Sequence, residues 1–224
     1  MDADALGTRA LLLFLATPVL LGAAFFLPAG TLEYWEAWAY MGVLLVPAAL
    51  VVAYFLKKDP GFLRRRMRTK EKEARQKSII KASVFIFIIA FLIPGLDRRF
   101  GWSEVPAEIV VAADALVFLG YVLIFLTFRE NSYAGRTVVV EKGQKVVTTG
   151  PYSIIRHPMY LGTLVMFTAT PVALGSYVAV PLFLLLVPII VLRTMNEEEV
   201  LRRDLPGYVE YCKKTRHRII PFIW

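Results

Sequence analysis

The sequence predicts an all-α integral membrane protein with about six transmembrane helices, the last two forming a helical hairpin. Of its 224 residues, 57% are hydrophobic and the mean hydropathy is +0.57, whereas soluble domains are about 45–50% apolar. Charged residues make up 20% of the chain and are concentrated in short tracts between long, almost uncharged runs. This distribution is typical of membrane proteins.

Four apolar stretches each predict one membrane span, at residues 10–27, 37–56, 79–96 and about 108–128. We interpret the first as a retained span and not as a signal peptide, because Arg9 is the only basic residue before it. Aromatic residues at the start of the second stretch predict an interfacial belt, formed by Tyr34, Trp35, Trp38 and Tyr40.

The last apolar stretch, residues 161–192, is too long for one span. It has 32 residues, and a single transmembrane helix needs about 20. Pro171, Gly175 and Pro181 lie near its middle, where the segment LGSY predicts a turn. We therefore expect a helical hairpin whose two short helices tilt or leave one end among the headgroups.

The basic residues favour the same topology. Residues 57–78 hold ten Lys or Arg and three acidic residues, and this loop either anchors the topology or binds acidic lipid headgroups. With six spans and the N-terminus inside, Arg98 and Arg99 are the only basic residues predicted on the outer side of the membrane. The positive-inside rule therefore places both termini in the cytoplasm.

Composition also argues against several classes of site. The net charge of +8 is explained by topology and lipid attraction, and no nucleic-acid-binding motif accompanies it. Cys212 is the single cysteine, and His157 and His217 are the only histidines, which argues against a metal centre built from these residues. Residues 137–149 resemble a strand hairpin, but we predict an irregular loop there.

The first polar motif is GPYSIIRHPMYLG, residues 150–162. Proline is favoured at the first position of a helix, so Pro158 predicts a helix start with His157 at the N-cap. The dipole at that end favours an anionic ligand group, and Tyr160 can point to the same place. The alternative is that Arg156 and His157 are interfacial residues that reach toward water.

The second motif lies after the predicted hairpin. Arg193 and Glu197 are four residues apart and therefore share one face of a helix that continues out of the last span. Glu197, Glu198 and Glu199 place three acidic residues at the membrane edge. This helix is either a solvated face or part of a site that holds a cationic ligand beside an anion-binding arginine.

These motifs, with Leu201 and the segment LPGYVEY at 205–211, resemble the isoprenylcysteine carboxyl methyltransferase family, whose wider group includes phospholipid N-methyltransferases. The resemblance covers residues 129–224 and implies a catalytic region there, preceded in residues 1–128 by four spans and the basic loop. It implies an S-adenosylmethionine-dependent membrane methyltransferase without a Rossmann domain, with a cytoplasmic cofactor site built from residues 129–160 and the C-terminal tail.

The resemblance also implies roles for individual residues. Arg193 and Glu197 are the expected catalytic residues, with Arg193 near the methyl acceptor and Glu197 either a base or only a cofactor contact. The expected cofactor-binding residues are Gln144, Lys145, Val146, Val147, Tyr152, His157, Pro158, Met159, Tyr160 and Glu197. One departure concerns the tail, where the family often has Phe-Gly-x-x-Tyr in place of Leu205-Pro206-Gly207-Tyr208, and this leaves the acceptor class open.

The implied acceptor is a lipid-like or prenylated molecule, and a prenylcysteine-type carboxylate is favoured over a phospholipid amine or a thiol. A second possibility is an NADPH-dependent oxidoreductase, because the C-terminal HRIIPFIW resembles the closing motif of the sterol reductases. A non-enzymatic membrane module is the third. Membrane lipids are expected partners in each case, and nucleic acid in none.

Overall fold

The structure is a computed structural model that describes residues 3–67 and 74–224. The described residues form nine α-helices and one 3-10 helix, without strands. The helices are α1 (Ala3–Ala29), α2 (Trp35–Lys58), α3 (Pro60–Arg66), α4 (Ala74–Phe100), α5 (Ala107–Glu130), α6 (Pro158–Ala173), α7 (Val180–Leu184), α8 (Leu186–Asp204) and α9 (Tyr208–Lys214), with the 3-10 turn at Gly150–Ser153. Part of the basic loop, 68–73, lies outside the described residues.

The chain is an integral membrane protein. Four described helical segments are long and apolar enough to cross a membrane: Leu6–Ala29, Trp35–Lys58, Ala107–Glu130 and Val180–Asp204. The predicted first, second and fourth spans are therefore confirmed as long apolar helices. The predicted third span, 79–96, lies inside α4, which has 27 residues. The total of six crossings stays a prediction.

The last apolar stretch contains two helical segments separated by a turn. Helix α6 ends at Ala173, and Gly175 adopts a positive φ of 69° in the turn that follows, at the place where LGSY predicted it. The start of α6 contacts the second half of α8 through Tyr160 and Glu197, and the membrane hairpin itself stays a prediction. Helix α6 has only 16 residues, and α8 continues well past the apolar stretch to Asp204.

Small residues allow the helices of the bundle to approach closely. A Cβ atom on Gly162 would lie 2.7 Å from the carbonyl oxygen of Gly120, and one on Gly95 would lie 2.5 Å from that of Phe25. Neither distance leaves room for a side chain, so α5 meets α6, and α4 meets α1, backbone to backbone. Aromatic rings fill the space between, as in the stacked pair Phe25 and Phe91.

The two ends of the bundle differ. At the far end, the Tyr34 hydroxyl donates to the carbonyl oxygen of Leu174 and the Ser176 hydroxyl donates to Asp97. The near end holds the ends of α2, α5 and α8, the starts of α4 and α6, and Leu6 of α1, which packs with Phe55 and Phe62.

Of the four residues in the predicted aromatic belt, two are exposed and two are buried. Trp35 and Trp38 are exposed at the far end, as interfacial residues are. Tyr34 and Tyr40 are buried instead, because their hydroxyls bond Leu174 and Thr170 inside the bundle. A tyrosine whose hydroxyl forms a hydrogen bond inside the bundle does not need the headgroup region to satisfy that hydroxyl.

Candidate functional site

A cavity lies at the near end, between the 131–149 connection, the start of α6, the second half of α8 and α9. It contains about 820 Å³ of empty space, including its open mouth. The sequence-predicted residues that line it are Gln144, Lys145, Val146, Val147, Tyr152, His157, Met159, Tyr160, Arg193 and Glu197. Pro158 is not part of the lining; it is buried as the first residue of α6.

The connection before α6 is irregular, as the sequence predicts for residues 137–149. It contains a turn in which the Gln144 amide donates to the Glu141 carbonyl at 3.0 Å, while the Gln144 side chain accepts from the Glu141 amide at 2.9 Å. Residues 144–147 line the cavity as part of this loop.

The start of α6 is fixed by the C-terminal tail. His157 is the N-cap and Pro158 is the first helical residue, as predicted. The Arg156 amide donates to the His217 carbonyl at 3.0 Å, and the His157 amide donates to the Arg218 carbonyl at 2.8 Å. Arg156 and His157 are only 6% and 5% exposed, so they are not interfacial residues that reach toward water.

Glu198 is the centre of a buried ion network. Its carboxylate accepts from Arg156 Nε at 2.6 Å and from Arg218 Nε at 3.1 Å, and it lies 3.3 Å from His157 Nε2. Burial alone would lower the pKa of Arg156, but the hydrogen bond and the charge of Glu198 raise it. The motif pattern names Glu198 only as a neighbour of Glu197, and the structure shows that it joins α6, α8 and the tail.

Arg193 and Glu197 meet at one hydroxyl group. Tyr160 Oη donates to Glu197 Oε2, and Arg193 Nε donates to Tyr160 Oη at 3.0 Å. The other end of the Arg193 guanidinium donates to the Arg136 carbonyl at 2.7 Å. The i, i+4 spacing thus brings both side chains to the same face of α8, and α6 supplies the group between them.

Tyr152, Tyr208 and Tyr211 also line the cavity. Tyr152 Oη accepts from Asn131 Nδ2 at 3.0 Å, and Tyr211 Oη donates to the Tyr152 carbonyl at 2.7 Å. Burial raises the pKa of Tyr152 and of Tyr208, and it raises that of Tyr211 to about 12. These hydroxyls stay protonated at neutral pH, so they can orient a ligand but cannot serve as bases.

The site has a basic wall formed by Arg136 and Arg193, which line the cavity, and Arg66 of α3 lies beside them. Arg66 donates to the Gly135 carbonyl at 3.0 Å and its guanidinium lies 4.6 Å from the centre of the Phe128 ring. Burial lowers its pKa to about 10, and the neighbouring charges of Arg136 and Arg193 act in the same direction. Among the side chains that the structure describes, no ion pair joins Arg66 to a carboxylate. Sequence patterns could not predict that Arg66 lies beside the site, because it belongs to the basic loop.

An apolar groove adjoins the cavity at the same basic wall. It is lined by Ile80, Ser83, Val84, Phe87 and Ile88 of α4, together with Arg136 and Arg193, and contains about 720 Å³ of empty space including its opening. Arg136 and Arg193 line both the cavity and the groove. A polar ligand and an apolar one can therefore approach the same two guanidinium groups from different sides.

Known proteins resemble the part of the chain that builds this site. Residues 109–205 match the model of the phospholipid methyltransferase family. Over 106 residues, the chain is 33% identical to a Delta(14)-sterol reductase from Mus musculus. The match covers 44% of this chain and 25% of that protein, so the chain spans about a quarter of the length of this curated relative. The resemblance to the wider group of membrane methyltransferases is therefore confirmed for residues 109–205, the segment that carries Tyr160, Arg193 and Glu197.

Proposed function

We propose that the protein is an S-adenosylmethionine-dependent methyltransferase of a lipid-like acceptor, with a prenylcysteine-type carboxylate favoured. One observation carries this proposal: the polar cavity and the apolar groove share Arg136 and Arg193. A water-soluble methyl donor and a membrane-resident acceptor would meet there. The match of residues 109–205 to the phospholipid methyltransferase family supports methyl transfer as the reaction class.

The donor set of the cavity fits the proposed cofactor. When bound, S-adenosylmethionine supplies a methyl group activated by a sulfonium cation. The carboxylate of Glu197 and the rings of Tyr152 and Tyr160 offer a cation the negative charge and π faces that attract it. Residues 144–147, His157 and Met159 also line the cavity and are proposed contacts for the rest of the molecule.

The roles of the catalytic residues follow from the chemistry of the acceptor. A carboxylate is already a nucleophile, so it needs no general base, and the Arg193 guanidinium can orient it through charge-assisted hydrogen bonds. Tyr160 holds Arg193 and Glu197 in place by bonding both. The tail and the 131–149 loop limit access of water, which favours an in-line transfer between positioned groups. A thiol or ammonium acceptor would need a base, and Glu197 is the candidate.

The charge distribution supports a cytoplasmic site. The near end carries the basic loop and tail, which the positive-inside rule assigns to the cytoplasm. We therefore propose that both termini and the cavity face the cytoplasm. We also propose the division into the N-terminal spans, 1–128, and a catalytic region, 129–224.

Calorimetric titration of the detergent-purified protein tests the cofactor. We expect saturable binding of S-adenosylmethionine and of its demethylated product, weakened about tenfold or more by Glu197→Gln, since a charged partner contributes about 1.5–3 kcal/mol. Glu210→Gln is the matched control, because Glu210 is an exposed carboxylate that does not line the cavity. A folded wild-type protein that binds neither compound would exclude the proposed function.

The match to a sterol reductase supports a second candidate, an NADPH-dependent oxidoreductase. The basic wall of Arg66, Arg136 and Arg193 offers guanidinium groups to the phosphates of such a dinucleotide. The same titration with NADPH distinguishes the two. Binding of NADPH together with no binding of S-adenosylmethionine would favour the reductase.

A further inference from the structure

We infer that Arg65 of α3 is a positioning residue for the cavity, and that it acts by holding the segment 132–139, which forms one wall of that cavity. The inference rests on the proposed function, because it concerns how tightly S-adenosylmethionine binds. Arg65 does not itself line the cavity. The inference also gives α3 a role beyond its place in the basic loop.

The wall has open space on both of its faces. Four of its residues line both the cavity and a second pocket behind the wall, which contains about 230 Å³ of empty space including its opening: Tyr133, Gly135, Thr137 and Val139. Residues 132–139 are neither helix nor strand, and Val138 alone among them is buried. A segment with so little packing gains little support from burial, so polar contacts have to hold it in place.

Arg65 supplies such contacts at the start of the wall. Its Nε donates to the Ser132 carbonyl at 2.6 Å, and its guanidinium lies 5.4 Å from the centre of the Tyr133 ring. The Ser132 hydroxyl donates to Asp59, the N-cap residue of α3, at 2.5 Å. Asp59 and Glu141 lie 3.6 and 3.8 Å from the Arg65 guanidinium and keep it oriented. Helix α3 therefore binds Ser132 through both its backbone and its side chain.

Helix α3 is itself firmly held, so it can support a mobile segment. The ring of Phe62 lies 4.3 Å from that of Phe55 of α2 and 5.0 Å from that of Phe128 of α5, measured between ring centres. Phe62 and Leu63 are both buried. The helix is thus packed on the near ends of α2 and α5, while its arginines extend to the wall.

The position of Ser132 is transmitted to residues that line the cavity. Ser132 lies between Asn131 and Tyr133, which both line it. Asn131 Nδ2 donates to Tyr152 Oη at 3.0 Å, and Asn131 Oδ1 accepts from the Tyr133 amide at 2.9 Å. Tyr152 is one of the proposed cofactor contacts. Arg65 therefore acts on the ligand through Ser132, Asn131 and Tyr152.

Arg65 differs from the other two arginines that hold the wall. Arg66 donates to the Gly135 carbonyl at 3.0 Å, and Arg193 donates to the Arg136 carbonyl at 2.7 Å. Replacing either of these would also change the charge of the site itself. Arg65 lies behind the wall and is paired with carboxylates, so its replacement changes the position of the wall and removes no group from the cavity.

Hydrogen–deuterium exchange of the ligand-free full chain in lipid nanodiscs tests whether Arg65 holds the wall. We expect Arg65→Ala to speed amide exchange in 132–139 about tenfold or more, the effect of losing one charged hydrogen bond, and to leave exchange in α5 unchanged. Arg64→Ala is the matched control, because Arg64 is the exposed neighbour and carries the same charge. This measurement needs no cofactor.

Calorimetric titration with the demethylated product of S-adenosylmethionine tests the consequence for binding. A wall that is already ordered costs less to close around a ligand than a mobile one, so we expect Arg65→Ala to weaken binding about tenfold and Arg64→Ala to bind as the wild type does. Ser132→Ala keeps Arg65 and removes only the bond to Asp59. It should weaken binding by a smaller factor, about threefold, and it tests the same contact if Arg65→Ala does not fold.

A double-mutant cycle distinguishes positioning from general stabilisation. If Arg65 acts through Tyr152, the combined variant Arg65→Ala/Tyr152→Phe should lose less affinity than the product of the two single losses. Two independent losses would indicate that Arg65 stabilises the fold without positioning the ligand contact.

The outcomes separate failure of this inference from failure of the proposed function. Exchange in 132–139 that Arg65→Ala leaves unchanged, faster exchange with wild-type affinity, or equal effects in Arg64→Ala would overturn the inference while the wild-type protein still binds the cofactor. A folded wild-type protein that binds neither S-adenosylmethionine nor its product would instead remove the proposed function, and with it the role of Arg65 in binding.

Discussion

Each end of the bundle contains a buried carboxylate, Glu198 at the near end and Asp97 at the far end, and the two have different kinds of hydrogen-bond donors. At the near end, Glu198 is 3% exposed and its partners are the cationic groups of Arg156 and Arg218 together with His157. At the far end, Asp97 is 1% exposed and accepts from the Ser103 amide at 2.8 Å and from serine hydroxyls. One network is charged and the other is built from neutral donors.

The difference corresponds to what each network connects. The neutral bonds of Asp97 fix two turns at the far end, at Ser103 and Ser176. The charges around Glu198 hold together α6, α8 and the C-terminal tail, which also form the wall of the cavity. Assembly of the site therefore depends on the carboxylate of Glu198, whereas the bonds of Asp97 do not involve the cavity.

Removing the charge from each carboxylate while keeping its shape gives the largest predicted difference. Glu198→Gln leaves Arg156 buried without a counter-ion, and we expect a loss of about 3–5 kcal/mol in the free energy of unfolding. Asp97→Asn removes no cationic partner, and its amide can still bond the same hydroxyls, so we expect a loss of about 1 kcal/mol. Unfolding by titration with SDS, followed by tryptophan fluorescence, measures both.

A comparable loss in the two variants would show that burial, and not charge pairing, determines the cost. The Glu198 variant should also lose binding of S-adenosylmethionine at a temperature where it remains folded. The Asp97 variant should bind with wild-type affinity.

The close contacts of glycine give a second, smaller test of the same comparison. A Cβ on Gly162 would meet the Gly120 carbonyl, and one on Gly95 would meet that of Phe25, so we expect each alanine variant to lose about 1–3 kcal/mol. Only Gly162→Ala should also weaken cofactor binding, because α6 carries Tyr160. Gly42→Ala, where nothing lies within 4 Å, is the control and should be neutral or slightly stabilising. Weakened binding in Gly95→Ala would mean that the two ends are coupled.

The sequence predicted the elements that depend on local patterns. Apolar length located the helices, Pro158 marked the start of α6, and the spacing of Arg193 and Glu197 placed both on one face of α8. The pattern could not assign Arg66, because a basic loop beside a membrane span reads as a topology signal until its partner segment is known. It also could not separate Glu198 from its acidic neighbours, since the contact that distinguishes it comes from a tail 20 residues away.

The predicted aromatic belt at the far end shows the same limit of sequence-based prediction. Composition groups Tyr34 and Tyr40 with the exposed tryptophans, and only the positions of Leu174 and Thr170 reveal that their hydroxyls point inward.

The smallest predicted effect concerns Cys212, the single cysteine of the chain, which reports on docking of the tail. It lies on α9 beside Tyr208 and Tyr211, and burial raises the pKa of its thiol. Because the thiolate is the reactive form, we expect N-ethylmaleimide to label it several-fold more slowly at pH 7.5 than it labels an unstructured cysteine peptide. A rise in pH should increase the rate, since it increases the thiolate fraction. In Glu198→Gln the tail loses its anchor, and the labelling rate should approach that of the peptide, whereas Asp97→Asn should keep the wild-type rate. Equal rates in both variants would mean that the backbone pairing of 156–157 with 217–218 holds the tail without the charge network.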